Sequence, residues 1–155
     1  MTTDEKWMNE ALKEAKKASL EGEVPIGCVI VKDGVILARG RNAREKKKNA
    51  LLHAEICAID KACKKLGGWR LHECDMYVTL EPCPMCCGAI INSRIKKVRI
   101  AAKDPKAGAM GSILDLTSFP FNHKPETEFG LMEAQSQALL KHFFQELRKK
   151  NKRTE

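Results

Sequence analysis

Residues 75–86 read Asp-Met-Tyr-Val-Thr-Leu-Glu-Pro-Cys-Pro-Met-Cys, and this stretch decides the fold class. The part from Asp75 to Leu80 is a short, mostly apolar run and predicts a strand. Pro82 indicates a turn, because proline lacks the backbone N–H that the interior of a sheet requires. A short helix is predicted from about residue 84 to 93. A strand followed closely by a helix is typical of α/β proteins.

The rest of the chain continues this alternation of helices and strands. The other predicted elements are helices over residues 5–20, 53–66 and 131–150, and strands over 25–31, 35–38 and 97–102. Asp33-Gly34 between two apolar runs predicts a hairpin, and Gly67-Gly68 ends the second of these helices. Residues 103–130 are predicted to be mostly loop. The fold class is therefore α/β, a sheet with helices packed on it.

Length and composition predict one domain over residues 1–155. The chain has 155 residues, of which 43% are hydrophobic and 31% charged, values that fit a globular protein and argue against wholesale disorder. No apolar run approaches the roughly 20 residues that a membrane span needs, so we expect no membrane association. The first residues are polar and unlike a secretory signal, which predicts a cytoplasmic location.

The positive charge is concentrated in three segments. The net charge is +8, and residues 39–48, 94–106 and 148–153 contain 17 of the 28 Lys and Arg but only two acids, Glu45 and Asp104. Such a distribution suits a polyanionic partner, because each phosphate neutralised releases counterions. The alternative is three solvated, lysine-rich surface segments, the last of them a basic tail over about residues 148–155. Charge alone leaves both interpretations open.

Two of the seven cysteines are predicted to bind metal. An odd number of cysteines without a secretory signal disfavours a disulfide framework. Cys83 and Cys86 are three residues apart at a predicted helix start, where they share one face, and His53 opens another helix. One histidine and two cysteines leave a fourth position open for water, which is the catalytic pattern for zinc. Of the others, Cys28, Cys57 and Cys63 are expected to pack in the core, and Cys74 and Cys87 are left unassigned.

Glu55 is the candidate proton carrier of this site. In the middle of a helix, side chains two residues apart point about 200° apart, so His53 and Glu55 address one centre only if the helix begins at His53. An acid in a first helical turn is also ordinary, because it interacts favourably with the helix dipole. The histidine two residues earlier and the cysteine pair downstream favour the catalytic interpretation.

His53-Ala-Glu55 together with Pro82-Cys-x-x-Cys86 resembles the zinc nucleoside and base deaminase pattern. The chain is most similar to the bacterial tRNA adenosine deaminase family, and this similarity extends over roughly residues 7 to 148. The supporting segments are Glu23-Val-Pro-Ile-Gly27, Tyr77-Val-Thr-Leu-Glu-Pro-Cys83, Asn92-Ser-Arg-Ile95, Asp104-Pro-Lys-Ala-Gly108, Gly111-Ser-Ile-Leu114 and Phe121-Asn-His123.

The resemblance implies a fold, an activity and a set of site residues. The fold would be the three-layer α/β/α cytidine-deaminase-like arrangement, with a central mixed sheet of about five strands, in a homodimer. The activity would be hydrolytic deamination of the wobble adenosine, the first anticodon base, to inosine in an arginine tRNA, with one Zn²⁺ per subunit. The anticodon stem-loop would be the partner, and Arg44 to Lys48 and the basic tail would hold its phosphates. The matching positions are His53, Cys83 and Cys86 for zinc, Glu55 for the proton shuttle, Asn42 for reading the base, and Ile26, Ala54, Asp104 and Phe144 for lining the pocket.

Some residues depart from the family pattern. Leu51-Leu52 stand where relatives often have smaller residues, and Pro84 and Cys87 replace the commoner Val and Ala. A small-molecule guanine or cytosine deaminase with the same zinc chemistry is therefore the main alternative. A non-enzymatic zinc module that binds RNA would give Glu55 no task, and a thiol-disulfide protein would leave His53 and Glu55 unexplained.

Overall fold

Five strands form one mixed sheet. The computed structural model describes residues 1–154, and its strands are β1 Gly27–Lys32, β2 Val35–Arg41, β3 Asp75–Leu80, β4 Lys97–Ala102 and β5 Glu126–Phe129. Their order across the sheet is β2-β1-β3-β4-β5. Strand β1 is antiparallel to both β2 and β3, whereas β3, β4 and β5 run parallel. The prediction of a mixed sheet of about five strands is confirmed.

Helices cover both faces of this sheet. They are α1 Thr3–Leu20, α2 Arg44–Lys47, α3 Ala54–Leu66, α4 Pro84–Asn92 and α5 Glu133–Thr154. Helices α1 and α5 contact each other and pack on one face, and α3 and α4 contact each other and pack on the opposite face. This is the three-layer α/β/α architecture that the resemblance implies.

The helix α3 approaches the sheet very closely. Its core-facing residues Ala54, Ala58 and Ala62 are fully buried and recur every fourth residue, so they form one narrow face. Gly40 of β2 lies opposite, where an added Cβ would be 2.2 Å from the Ala54 carbonyl oxygen and 2.6 Å from the Ala58 nitrogen. The small residues on both sides therefore bring the start of α3 against the end of β2.

The structure differs from the sequence prediction in its loop regions. Strand β5 lies inside the segment that is predicted to be loop. It is an edge strand, and its residues Glu126, Thr127 and Glu128 are polar, so it lacks the apolar pattern by which a strand is predicted. The one-turn helix α2 and a 3₁₀ turn at Leu116–Ser118 were not predicted. Helix α5 includes residues 148–154 of the predicted basic tail, and Glu155 lies outside the described residues.

Within residues 1–154, no helix combines the length and the apolar composition that crossing a membrane requires.

Strand β1 begins at Gly27, two residues later than predicted. Ile26 therefore precedes the strand and is only partly buried, which leaves its side chain available to the cavity described below.

Candidate active site

Two helix starts meet at the site. His53 is the N-cap of α3 and has an extended backbone, with φ −71° and ψ 158°, so it lies just before the first helical residue. Cys83 is the N-cap of α4, also extended, and Pro84 occupies the first turn, where proline is favoured. The N-terminus of a helix carries a partial positive charge, which favours thiolate and carboxylate groups there. Both helices therefore present an anion-stabilising end to the same point.

His53, Cys83 and Cys86 form a cluster that can hold a metal ion. The Nδ1 atom of His53 is 3.5 Å from the Sγ atom of Cys83 and 3.5 Å from the Sγ atom of Cys86. All three ligand atoms lie within 4.8 Å of one another. Tetrahedral zinc with ordinary Zn–N and Zn–S bonds requires an N–S separation of about 3.6 Å. The observed distances and the donor set therefore fit zinc, and we call these three residues the metal cluster.

The two cysteines of the metal cluster are tightly coupled. The hydrogen bond from Cys86, followed by that with His53, lowers the pKa of Cys83 to about 4, although burial opposes the shift. The hydrogen bond to Cys83 and burial raise the pKa of Cys86 well above its usual range. The opposite directions of the two shifts follow from this one sulfur–sulfur hydrogen bond. A divalent cation stabilises both thiolates and releases the proton of this hydrogen bond, so metal binding at this cluster depends on pH.

Glu55 is buried beside the metal cluster. It lies two residues after the N-cap His53, so both side chains can face one centre, and it lines the same cavity as His53 and Cys83. Only 3% of Glu55 is exposed, and burial raises its pKa to about 7. A carboxyl group with such a pKa can both accept and donate a proton near neutral pH.

The cavity in front of Glu55 has a volume of about 430 Å³. Four residues that the resemblance assigned to the nucleotide pocket line it: Ile26, Asn42, Asp104 and Phe144. Ala54, the fifth, instead has its side chain fully buried in the core cluster between α3 and the sheet. Its backbone N–H donates a hydrogen bond of 3.1 Å to Oδ1 of Asn42, so Ala54 contacts a lining residue through its backbone.

Asn42 is held in place from two sides. Its Oδ1 accepts the hydrogen bond from Ala54, and its Nδ2 donates to the Val24 carbonyl at 3.3 Å. A side-chain amide has two donor hydrogens and two acceptor lone pairs, so one donor and one acceptor position of Asn42 remain for a ligand. Only 6% of the residue is exposed, and the group is therefore preorganised towards the cavity that it lines.

Three exposed cations surround this cavity. They are Arg44, from the first basic segment, and Lys103 and Lys106, from the second, and we call them the cationic rim. Other basic residues of the same segments are paired within the fold: Arg39 with Glu10, Arg41 with Glu14 and Glu21, Lys46 with Glu21, Lys97 with Glu128, and Arg99 with Asp75. Much of the charge concentration that the sequence shows is thus neutralised locally.

The remaining cysteines do not join the metal cluster. Cys28, Cys74 and Cys87 are fully buried, and Cys57 and Cys63 are partly buried. Burial raises the pKa of each of these five thiols, which keeps them protonated at neutral pH. The structure therefore assigns Cys74 and Cys87, which the sequence left open, to the core.

Sequence reasoning did not single out two buried acids next to the cavity. Glu81 lines it, and Glu23 directly precedes the lining residue Val24. Both are 2% exposed. Glu81 follows an apolar strand and precedes Pro82, so, like Glu55, it is a single acid in an otherwise apolar stretch. This isolated acid in an apolar stretch could have identified Glu81 from the sequence.

Comparison with known proteins agrees with this geometry. The family model of the cytidine and deoxycytidylate deaminase zinc-binding region matches residues 1–102. The tRNA-specific adenosine deaminase of Bacillus subtilis (strain 168) is 52% identical over 153 residues, which cover 98% of this chain and 95% of that protein.

The chain is also similar to solved structures of tRNA deaminases and of deaminases that act on other substrates. One, from a study of A-to-I editing by tRNA:A34 deaminases at the wobble position of transfer RNA, has a TM-score of 0.85 and 43% identity, and the match covers 87% of this chain and 99% of that one. A guanine deaminase from Bacillus subtilis has a TM-score of 0.63 and 36% identity, over 94% and 93% of the two chains. Sequence and structure both agree better with the first group, and the chain belongs to the family of tRNA-specific adenosine deaminases.

Proposed function

We propose that this protein is a zinc-dependent hydrolase that deaminates the wobble adenosine of tRNA to inosine. The observation that carries the proposal is the placement of Glu55 and the metal cluster in one cavity that exposed cations surround. The buried residues supply the chemistry, and the cations suit the phosphates of a nucleic acid. A free base carries no phosphate, so deamination of free bases would leave the cationic rim unexplained.

Zinc would be held by His53, Cys83 and Cys86, one ion per subunit. When bound, it supplies a Lewis acid that lowers the pKa of a water molecule towards neutrality. The thiolates and the imidazole would hold the ion, and the helix starts of α3 and α4 would stabilise the two thiolates. A fourth protein ligand would close the site. Within residues 1–154, the group of candidate ligands contains these three residues only.

Glu55 would move the protons of the reaction. A carboxylate oxygen of Glu55 accepts a proton from water and delivers it to N1 of adenine, which makes ring carbon six electrophilic. The oxygen of this water then bonds to carbon six, Glu55 accepts the remaining proton of that hydroxyl group and passes it to the amino group, and the bond between carbon six and that nitrogen breaks as the oxygen becomes the carbonyl of inosine. Water and adenosine are consumed, and inosine and ammonia are formed. Burial, which brings the pKa of Glu55 to about 7, suits both transfers.

The base would enter the cavity after leaving its stack in the anticodon loop. An unpaired loop base is less costly to extrude than a base in a duplex. Asn42 reads the base through its two remaining hydrogen-bonding positions, Ile26 and Asp104 line the pocket, and Phe144 offers an aromatic ring, 41% exposed, at its wall. The backbone N–H of Ala54 donates a hydrogen bond to Asn42 and would keep its side chain in position. The cationic rim and the basic end of α5 would contact phosphates.

A homodimer is the oligomeric state we expect. A second cavity, of about 490 Å³, is lined by Leu51, Leu52 and Ile56 and edged by charged residues, and Leu51 is 57% exposed. An exposed leucine over a partly apolar cavity supports burial against another copy of the chain. Light scattering of the purified protein would measure the mass directly. The cytoplasmic location stays a prediction.

The deciding experiment compares substrates. Zinc-loaded protein is incubated with the anticodon stem-loop of an arginine tRNA, with the same stem-loop carrying guanosine at the wobble position, and with free adenosine, cytidine and guanine. We expect inosine from the first substrate only, measured by nucleoside chromatography after digestion. Product from guanine or cytidine, with none from the adenosine stem-loop, would overturn the proposal in favour of a small-molecule deaminase.

A further inference from the structure

The carboxylate of Glu81 holds the loop that carries one half of the cationic rim. Its Oε1 accepts a hydrogen bond from the Asp104 backbone N–H at 3.1 Å and another from the Ser112 hydroxyl. Its Oε2 accepts from the backbone N–H groups of Met110, at 3.0 Å, and Ser112, at 3.1 Å. Four donors spread over nine residues of the loop therefore converge on one side chain, which immediately precedes Pro82 and Cys83.

The loop packs directly on this carboxylate. An added Cβ at Gly108 would lie 2.4 Å from the carboxyl carbon of Glu81, far closer than two carbon atoms can approach without a bond. The Ala109 N–H also donates to the Pro82 carbonyl at 2.9 Å, beside the same attachment. Lys103, Asp104 and Lys106 are thereby placed relative to the start of α4 and hence to the metal cluster.

Glu23 does the same for the other half of the rim. Its two oxygens accept hydrogen bonds from the backbone N–H groups of Glu45, at 3.1 Å, and Lys46, at 2.7 Å. These residues form the turn of α2, which begins with Arg44. The N-cap residue of helix α2, Ala43, makes no side-chain cap hydrogen bond. Glu23, which is distant in sequence, accepts the backbone hydrogen bonds that an N-cap side chain would otherwise accept.

Neither carboxylate is paired with a cation in the described part of the chain. Burying a carboxylate is costly unless hydrogen bonds compensate it, and here backbone N–H groups do so. Among residues 1–154, the donors to each acid are backbone N–H groups of one part of the rim and, for Glu81, also the hydroxyl of Ser112. The two acids are therefore equally buried and both are bonded to backbone N–H groups, but Glu81 accepts four hydrogen bonds and Glu23 two, and they hold different loops.

We propose that Glu81 and Glu23 are positioning residues that hold the two parts of the cationic rim at the spacing which an RNA loop requires. This rests on the proposed function, because it takes tRNA as the substrate. Neither residue carries out a chemical step. Their loss should weaken substrate binding more than turnover, since Glu55 and the metal cluster are placed by the helices α3 and α4.

Glu81→Gln and Glu23→Gln test the proposal. A glutamine replaces one acceptor oxygen by an NH₂ group, which would face N–H donors and break the attachment without changing size. Amide hydrogen exchange should become at least tenfold faster in residues 103–115 for Glu81→Gln only, and in residues 43–50 for Glu23→Gln only. Each variant is thus the control for the other.

Glu14→Gln is a further control. Glu14 is also buried, at 3% exposure, but it pairs with Arg41 and Lys17 and does not touch either loop. It should leave exchange in both segments unchanged. If Glu81→Gln does not fold, Ser112→Ala removes one of the four hydrogen bonds and should give a smaller increase in the same residues. Zinc content, measured by atomic absorption, should stay at the value of the unaltered protein in all variants.

Kinetics with the anticodon stem-loop complete the test. We expect KM to rise about tenfold in Glu81→Gln and Glu23→Gln while kcat stays within twofold, with Glu81→Asp recovering part of the loss. Unchanged exchange, faster exchange throughout the chain, or a fall in kcat at constant KM would each overturn the proposal. If the unaltered protein does not deaminate the stem-loop, the proposed function fails, whereas the exchange data still decide whether the two acids hold the loops.

Discussion

The metal cluster and the cationic rim lie around one cavity, yet they are built differently. The cluster comes from residues at two helix starts, each placed by the packing of a regular helix on the sheet. The rim comes from a loop and a one-turn helix, each held by hydrogen bonds to a buried acid distant in sequence. Packing of regular helices thus places the chemical groups, whereas single buried side chains place the cations, so one substitution should be able to displace the rim without displacing the cluster.

The largest effect should come from breaking the cluster. His53→Ala removes one of three ligands, and because two thiolates alone hold zinc weakly, we expect loss of both zinc and detectable activity. Metal analysis and the stem-loop assay measure this. The exposed His72 is the matched control, and its alanine variant should retain both. A zinc-containing, active His53→Ala protein would contradict the ligand assignment.

Glu55→Gln should separate metal binding from proton transfer. The amide keeps the shape but cannot shuttle a proton, so kcat should fall by about 10²- to 10⁴-fold while zinc content is unchanged. Single-turnover rates with the stem-loop provide the measurement. Asp60→Asn changes an exposed acid on the same helix and should leave the rate unaltered. Activity retained in Glu55→Gln would exclude Glu55 as the proton carrier.

Gly40→Ala tests whether helix packing places the cluster. The new methyl group would meet the backbone of α3 at 2.2 Å from the Ala54 oxygen, and backbone cannot yield as a flexible side chain does. Overpacking of this kind costs about 1–3 kcal/mol in the free energy of unfolding. Urea denaturation should show this loss of unfolding free energy. Zinc affinity should fall as well, because the start of α3 carries His53. Gly68→Ala, where no atom lies within 4 Å, is the control.

The smallest effect should come from the rim. Arg44→Ala removes one cation, so KM should rise several-fold with kcat unchanged. The slope of log affinity against log salt should become shallower by about 0.7 to 0.9 for each phosphate that the variant no longer neutralises. Lys64→Ala, which removes an exposed cation paired with Asp60 on α3, should change neither quantity. A salt-independent KM in the unaltered protein would contradict phosphate binding by the rim altogether.

The same contrast explains what the sequence could predict. His53, Glu55, Cys83 and Cys86 lie in two short stretches whose spacing and helix starts are local properties, so both stretches, the four longer helices and the α/β class were predicted. That the two stretches meet at one metal was predicted from the family pattern. The strand β5 was not, because an exposed edge strand with acids at Glu126 and Glu128 lacks the apolar pattern of a strand. Helix α2 depends on Glu23, which is distant in sequence, and no local pattern indicates such a partner.

Phe144 belongs to the last helix of the chain, whereas Ile26 precedes the first strand, and both line one cavity. The residues of the metal cluster are therefore synthesised before the residues of α5 that complete the cavity wall. Any nascent or truncated chain that stops before α5 would have the zinc ligands and Glu55 but lack one wall of the pocket. The wall of the pocket that Phe144 provides therefore requires synthesis to proceed beyond all of the zinc ligands and into helix α5.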